Sequence, residues 1–350
     1  MKKFHYPQHP FIIAEMSGNH NRSLDRALEL IGRAAVCGAD AIKIQTYTAD
    51  TITLDHDGPE FLVDLPLWKG RKLYELYQEA YTPWEWHKPM FDRAAELGIT
   101  IFSSPFDETA VDLLEDLGAP LYKIASFELI DTPLVRYAAK TGKPMIVSTG
   151  MATLAEISEA VEAARSGGCT DLTLLHCVSA YPAPVEQTNL ATMVALEKNF
   201  PGVRIGLSDH TLGTEVAMTA VAMGAKVIEK HFTIARADGG VDSAFSLEPH
   251  ELKDLCDRTK NIAKNTPLLE AAIGVVDFEK AGEASGRAYR PSLYVVKDMK
   301  RGEVFTSDNV RSVRPANGLP PGEIDNVLGK VASRDIKFGT ALEKGMISRL

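Results

Sequence analysis

Eight short apolar runs recur along the first 232 residues: FIIAEM (11–16), AIKIQTY (41–47), TIFSSPF (100–106), LYKIASF (121–127), MIVSTG (145–150), LTLLHCV (172–178), RIGLSDH (204–210) and VIEKHF (227–232). Their length and their Val, Ile, Leu, Phe and Tyr content predict buried strands. Helical spacing fills the gaps. In SLDRALELIGRAAVCG, Leu24, Ala27, Leu28, Ile31, Ala34 and Ala35 share a face, and Ser23 is placed to cap it. TLAEISEAVEAARSGG repeats the scheme, with Thr153 before it and Gly167 and Gly168 behind. Gly38 closes the first of these, and Gly98, Gly118 and Gly224 follow other predicted helices, where a left-handed residue closes the last turn.

Strand–helix alternation predicts a parallel sheet. Eight such pairs, the last helix covering 248–264, match the size of an α/β (β/α)8 TIM barrel. A doubly wound sheet would usually show G-x-G-x-x-G after its first strand, and Met16-Ser17-Gly18-Asn19-His20 does not match. One connection, Thr48 to Pro83, is far longer than the usual few residues. It reads equally as a lid over the barrel mouth or as a packed excursion with its own helix around Lys72–Ala80. Beyond residue 265 the character changes. The expected division is a barrel at 1–265, a linker at 266–288 and a small domain at 289–350, with short strands in PSLYVVKDM and SVRP.

Composition narrows the class. With 45% hydrophobic and 24% charged residues, disorder, collagen-like repeats and long coiled coils are excluded as the main architecture. A net charge of −9 without a basic run argues against nucleic acid and anionic membranes, so an anionic substrate needs a local cationic cluster. No stretch approaches a membrane span or a signal peptide, and the expected location is cytoplasmic. Cys37, Cys169, Cys177 and Cys256 form no C-x-x-C pair and read as buried thiols.

A barrel carries its chemistry at the C-terminal strand ends. There the chain places Glu15, Lys43, Gln45, Ser103, Ser104, Lys123, Ser126, Ser148, Thr149, Cys177, Ser179, Asp209, His210, Glu229 and His231. Period-two alternation aims Lys43 with Gln45, and Glu229 with His231, to the same side. Lys43 and Lys123 either bind an anion or pair with Glu15 and Glu229, since a lone buried charge is costly. Ser126, Ser148 and Thr149 either bind ligand or cap helices. His210 and His231 suggest a metal, but two imidazoles fall short of a zinc site; Mn2+ or Mg2+ completed by water and carboxylate fits better.

These stretches resemble the sialic acid synthase family, and within it the pseudaminic acid synthase branch. The resemblance rests on FIIAEMSGNHN, GADAIKIQTYTADTITL, TPWEWHKPMFDRAAELGITIFSSPFDETAVDLLEDLGAPLYKIASFE, KPMIVSTGMATLAEI, GLSDHTLG and VIEKHFTIARADGGVDSAFSLEP. It continues through PSLYVVKDMKRGEVFTSDNVRSVRPANGLPP, which is similar to the family's antifreeze-like (SAF) domain. It implies a condensation of phosphoenolpyruvate with an acylamino sugar, releasing phosphate. The sugar expected for the branch is a 6-deoxy diacetamido aldehyde, 2,4-diacetamido-2,4,6-trideoxy-L-altrose; N-acetylneuraminate and legionaminate synthases are the alternatives.

Carried residue by residue, the resemblance makes His210 and His231 ligands of a divalent metal, Mn2+ first, with Mg2+ or Co2+ as alternatives. Glu15 becomes a catalytic residue near metal or aldehyde, and Glu229 the metal's polar neighbour. Lys43, Ser104, Lys123, Ser126 and Ser148 become the phosphoenolpyruvate cradle, and Gln45, Tyr181 and Asp242 sugar contacts. Ser179 stands where N-acetylneuraminate synthases carry Asn, and Arg290-Pro291 where members often carry two arginines. A 6-deoxy sugar calls for an apolar wall, for which Phe245 is the candidate. Arg314, between a short strand and a Pro/Gly-rich loop, is expected to project outward; the resemblance implies that it reaches the partner's sugar in a domain-swapped homodimer. Two rival readings are a barrel that only binds and a metal aldolase releasing no phosphate. The retention of His210, His231, Lys43 and Lys123 argues against the first.

Overall fold

The computed structural model describes residues 4–7, 9–64, 66–259, 283 and 285–348. All eight expected strands form: β1 (Phe11–Glu15), β2 (Ala41–Thr46), β3 (Thr100–Pro105), β4 (Tyr122–Ile124), β5 (Met145–Ser148), β6 (Leu172–Cys177), β7 (Arg204–Asp209) and β8 (Val227–His231). They pair in chain order, all parallel, and β8 returns to β1 to close the barrel.

Strand alternation sorts every second residue outward. Ile12, Ala14, Ile42, Ile44, Val147, Leu174 and Leu207 pack beneath the helices in the main core. The inward residues stack in layers. The lowest is apolar: Ile13, Ala41, Phe102, Leu121, Ile146, Leu175 and Val227 pack inside the barrel, with Phe4 and Tyr6 against them. On β7 this level is Gly206, where a Cβ would lie 2.3 Å from Val227 O and 2.7 Å from Leu175 Cδ2. Two residues further along the same eight strands come Glu15, Lys43, Ser104, Lys123, Ser148, Cys177, Ser208 and Glu229. The same step that places an apolar plug therefore places a polar ring directly above it.

The helix ends follow local chemistry. Ser23 Oγ accepts from Arg26 N at 3.2 Å, and Gly38 turns left-handed at φ 86°. Thr153 and Glu156 form a reciprocal capping box, and Gly168 rather than Gly167 takes the positive φ. The last barrel helix runs Pro249–Arg258; the rest of its predicted span, 260–264, lies outside the described residues, as does most of the linker.

The long connection is packed. It contains helix Leu73–Ala80 and an antiparallel bridge between Leu62 and Lys72. Its Ile52, Leu54, Phe61, Val63 and Leu73 are buried. It is wedged against the C-terminal domain, where Leu54 and Phe61 pack on Tyr294 and Val313. That domain pairs β9 (Ser292–Val295) with β10 (Val310–Val313) and β11 (Val331–Ala332) with β12 (Ile347–Ser348) around Leu293, Met299, Phe305 and Ile336. It is fastened to the barrel by Ser312 Oγ donating to Asp131 Oδ2 at 2.9 Å and by the Arg290–Glu156 pair.

Candidate active site

The polar ring is a closed charge network. Lys43 Nζ lies 2.7 Å from Glu15 Oε2 and 3.7 Å from Glu229 Oε1. Lys123 Nζ and Ser208 Oγ donate to that same Glu229 oxygen at 3.3 and 3.2 Å. Lys43 also donates to Ser104 Oγ at 3.3 Å. All are buried. The pairing alternative for the two lysines is thus what the ring displays. Burial alone would raise the Glu229 pKa, but Lys123 and Lys43 overcome it and hold the carboxyl below its usual range. Burial lowers Lys123, and Glu229 only partly restores it. Ser148 Oγ is buried without a hydrogen-bond partner among the described residues.

One step higher, His210 and His231 face each other with ring centroids 5.3 Å apart. The Val178 carbonyl accepts from His210 Nδ1 at 2.9 Å, which leaves Nε2 as the nitrogen available to a metal. Among the described residues His231 Nδ1 is buried without a hydrogen-bond partner, 3.9 Å from Asp242 Oδ2. Burial first, then His210 and the nearby lysines, hold His231 far below the usual imidazole range, so it stands neutral. Burial opposes the charged form of His210, but the Cys177 sulfur and the Val178 carbonyl overcome it and hold this imidazole above its usual range. A neutral His231 and a His210 oriented by a backbone carbonyl, beside Asp242, are a donor set that fits a divalent ion completed by water, with the ion taking the place of the His210 proton. A three-donor cluster elsewhere, Glu248, His250 and Glu251, is accounted for locally: both glutamates form a capping box and bind Arg236.

Above the histidines opens a chamber of about 170 Å3, reached by Ser17, Gln45, His231, Tyr181 and Asp242. Gln45 Nε2 links it to the ring by donating to Glu15 Oε1 at 2.9 Å. Ser126 Oγ accepts from Gly150 N at 3.1 Å, tying the ends of β4 and β5 rather than capping a helix. Thr149 Oγ1 donates to Leu175 O and is structural. Ser179 turns its amide N–H to Glu283 Oε1 at 2.6 Å, and Met151 N–H donates to the other oxygen.

Two expectations are corrected. Phe245 does not line the chamber; its ring packs behind the imidazoles, 4.9 Å from His231 and 5.3 Å from Tyr181. Arg314 does not project outward. It is buried, pairs with Glu128, donates to Tyr77 Oη at 2.6 Å, and lies 4.3 Å over the Phe127 ring. Within this single chain it lines the chamber of its own barrel. Four residues escaped the sequence reading. Ser208 lies two residues before His210, and the alternation that joined Glu229 to His231 would have found it. Glu128 sits in a single turn after β4, Tyr77 in the excursion and Glu283 in the expected linker, where no periodicity points inward.

Comparison with known proteins agrees with this architecture. The NeuB family matches residues 30–267, and the SAF domain matches residues 290–348. The chain is 46% identical to the pseudaminic acid synthase of Campylobacter jejuni over 96% of each protein. It is 38% identical to that organism's N,N'-diacetyllegionaminic acid synthase, over 93% of this chain and 96% of the relative. The solved structure of the spore coat polysaccharide biosynthesis protein SpsE from Bacillus subtilis superposes with a TM-score of 0.83 at 34% identity, covering 97% of this chain and 95% of that one. A polar ring over an apolar plug, two facing histidines and a C-terminal domain at the barrel mouth thus occur in a chain that belongs to the NeuB family.

Proposed function

We propose that the protein is a pseudaminic acid synthase, joining phosphoenolpyruvate to 2,4-diacetamido-2,4,6-trideoxy-L-altrose with release of phosphate. The observation that carries this reading is the buried Glu15–Lys43–Glu229–Lys123 network lying directly below a chamber that a sugar can enter. Identity to the Campylobacter pseudaminic acid synthase over nearly the whole chain supports the choice of sugar.

In the reaction, C3 of phosphoenolpyruvate attacks the aldehyde carbon of the open-chain sugar. The C–C bond forms from the enol π electrons as the aldehyde π bond opens onto its oxygen, water adds at C2 and gives up a proton that ends on that oxygen, and the C2–O bond to phosphate then breaks as C2 becomes the ketone and its hydroxyl proton leaves with phosphate. Lys43 and Lys123 hold the substrate's negative charge, with Ser104, Ser126 and Ser148 shaping the cradle. The hydroxyl of Ser148, buried and without a hydrogen-bond partner among the described residues, is placed to donate. Glu15, between Lys43 and Gln45, is placed to accept the proton from water. Glu229 keeps the two ammonium groups oriented. Gln45, Tyr181, Asp242 and Arg314 hold the sugar. A divalent metal held by His210 and His231, Mn2+ in our reading, would supply Lewis-acid polarisation of the aldehyde oxygen.

The division at 1–265, 266–288 and 289–350 belongs to this proposal, as does a homodimer exchanging C-terminal domains. Such an exchange reuses the seam described here, with Arg314 meeting the partner's barrel through the same groups. The test is mass spectrometry of the product from phosphoenolpyruvate and a panel of acylamino sugars. A nonulosonic acid from the trideoxy altrose is expected; turnover with other sugars only would assign a legionaminate or neuraminate synthase instead.

A further inference from the structure

The chamber is two-sided. Its polar side carries Gln45, His231 and Asp242; the other is apolar, built from Ile52, Val63, Trp68, Leu73, Leu76 and Val241. Five of those six come from the excursion between Thr48 and Pro83. This wall is rigidly mounted. Val63 N donates to Arg71 O, and Gly70 N to Val63 O, each at 2.8 Å. Trp68 Nε1 donates to Val241 O at 3.0 Å. Leu73 and Leu76 share one face of helix Leu73–Ala80, and Tyr77 on the same helix bonds Arg314.

We infer that this excursion is the element that selects the sugar. An open-chain sugar whose aldehyde lies at the His231 side turns its far end to the apolar wall. A methyl group, or the methyl of an acetamide, gains there by leaving water. A hydroxyl against these six side chains loses its water partners and gains none from them, while the polar groups nearest them, Tyr77, Tyr289 and Arg314, are already engaged with one another, the Asp64 N–H and Glu128. The wall therefore selects a sugar that is deoxygenated and acylated at the end distant from the reacting carbon. Hydrophobic pockets discriminate single groups by roughly 10- to 100-fold, which sets the expected size of the preference.

This inference rests on the synthase reading above, and one experiment separates the two. Phosphate release from phosphoenolpyruvate is measured for the full-length protein with the trideoxy diacetamido sugar and with N-acetylmannosamine, which keeps its terminal hydroxyl. The variants are Leu76→Gln and the near-isosteric Val63→Thr, the second retaining the fold if the first does not. Each is expected to lower kcat/KM for the trideoxy sugar roughly tenfold and to narrow its preference over N-acetylmannosamine, with KM for phosphoenolpyruvate within about twofold. An equal fall for both sugars in Val63→Thr, or a matching rise in KM for phosphoenolpyruvate, overturns the inference. So does wild-type protein that prefers N-acetylmannosamine, which reassigns the sugar of the synthase reading but leaves its condensation chemistry standing. Wild-type protein that releases no phosphate with either sugar overturns that reading and this inference with it.

Discussion

The charged ring inside the barrel and the apolar wall across the chamber serve one reaction but are made differently. The ring takes one residue from each of eight strands, at a height set by the pleat and by parallel pairing. Glu15 lies beside Lys43 and Ser208 beside Glu229 because the register puts them there. The wall takes most of its residues from one excursion and holds them by tertiary packing. Groups that must meet a common reacting centre sit on the most constrained backbone in the molecule. Groups that choose among sugars sit on a segment outside the barrel's hydrogen-bond ladder.

That contrast orders the expected effects. Removing an imidazole at the mouth should be most damaging: His231→Ala should lower kcat by about 10^3-fold or more while the circular dichroism spectrum is unchanged. Exhaustive chelation of the wild type should match it, and full activity after chelation would refute the metal role. Lys123→Ala should raise KM for phosphoenolpyruvate roughly tenfold or more, with little change in KM for the sugar. A change confined to the sugar would move Lys123 out of the cradle.

Arg314→Ala should mainly raise KM for the sugar, by roughly tenfold, since it removes a charged contact and leaves Glu128 buried. Mixing this variant with His231→Ala after reversible dissociation tests the exchange. Recovered activity means that Arg314 serves the partner's barrel, and no recovery means that it serves its own.

The smallest effect lies at the domain seam. Burial pushes the Asp131 pKa up to about 6, with Ser312 and Leu134 N partly opposing. The folded state thus holds this proton more tightly than the unfolded state does, and the associated stability is lost as pH rises through 6. Relative to Asp131→Asn, the wild type should lose roughly 1 kcal/mol between pH 5 and 7 in denaturant titrations. A flat difference would remove Asp131 from the seam's energetics.

The barrel and its ring were legible in the sequence because both follow from alternation. Ile13 to Glu15, Ala41 to Lys43 and Val227 to Glu229 each step from plug to ring in two residues. The wall was not legible. Leu73 and Leu76 look like any helix's apolar stripe, and only folding shows that the small core they form with Val63, Val241 and Tyr289 also borders a chamber. The 6-deoxy sugar that the resemblance implies makes Phe245 the candidate wall, but its ring packs against two histidines. Glu128 and Arg314, 186 residues apart, become partners only when the C-terminal domain docks.

The excursion begins after β2 and ends before helix Trp84–Leu97, and no member of the charged ring lies inside it. Its hydrogen bond from Trp68 to the rest of the mouth ends on the Val241 backbone carbonyl, which any residue at 241 would supply. Its other ties run to the C-terminal domain, where Leu54 and Phe61 pack on Tyr294 and Val313 and Tyr77 bonds Arg314. A new sugar preference would therefore be inherited as a matched pair, excursion and C-terminal domain together, while the strands that carry the condensation chemistry pass through unaltered.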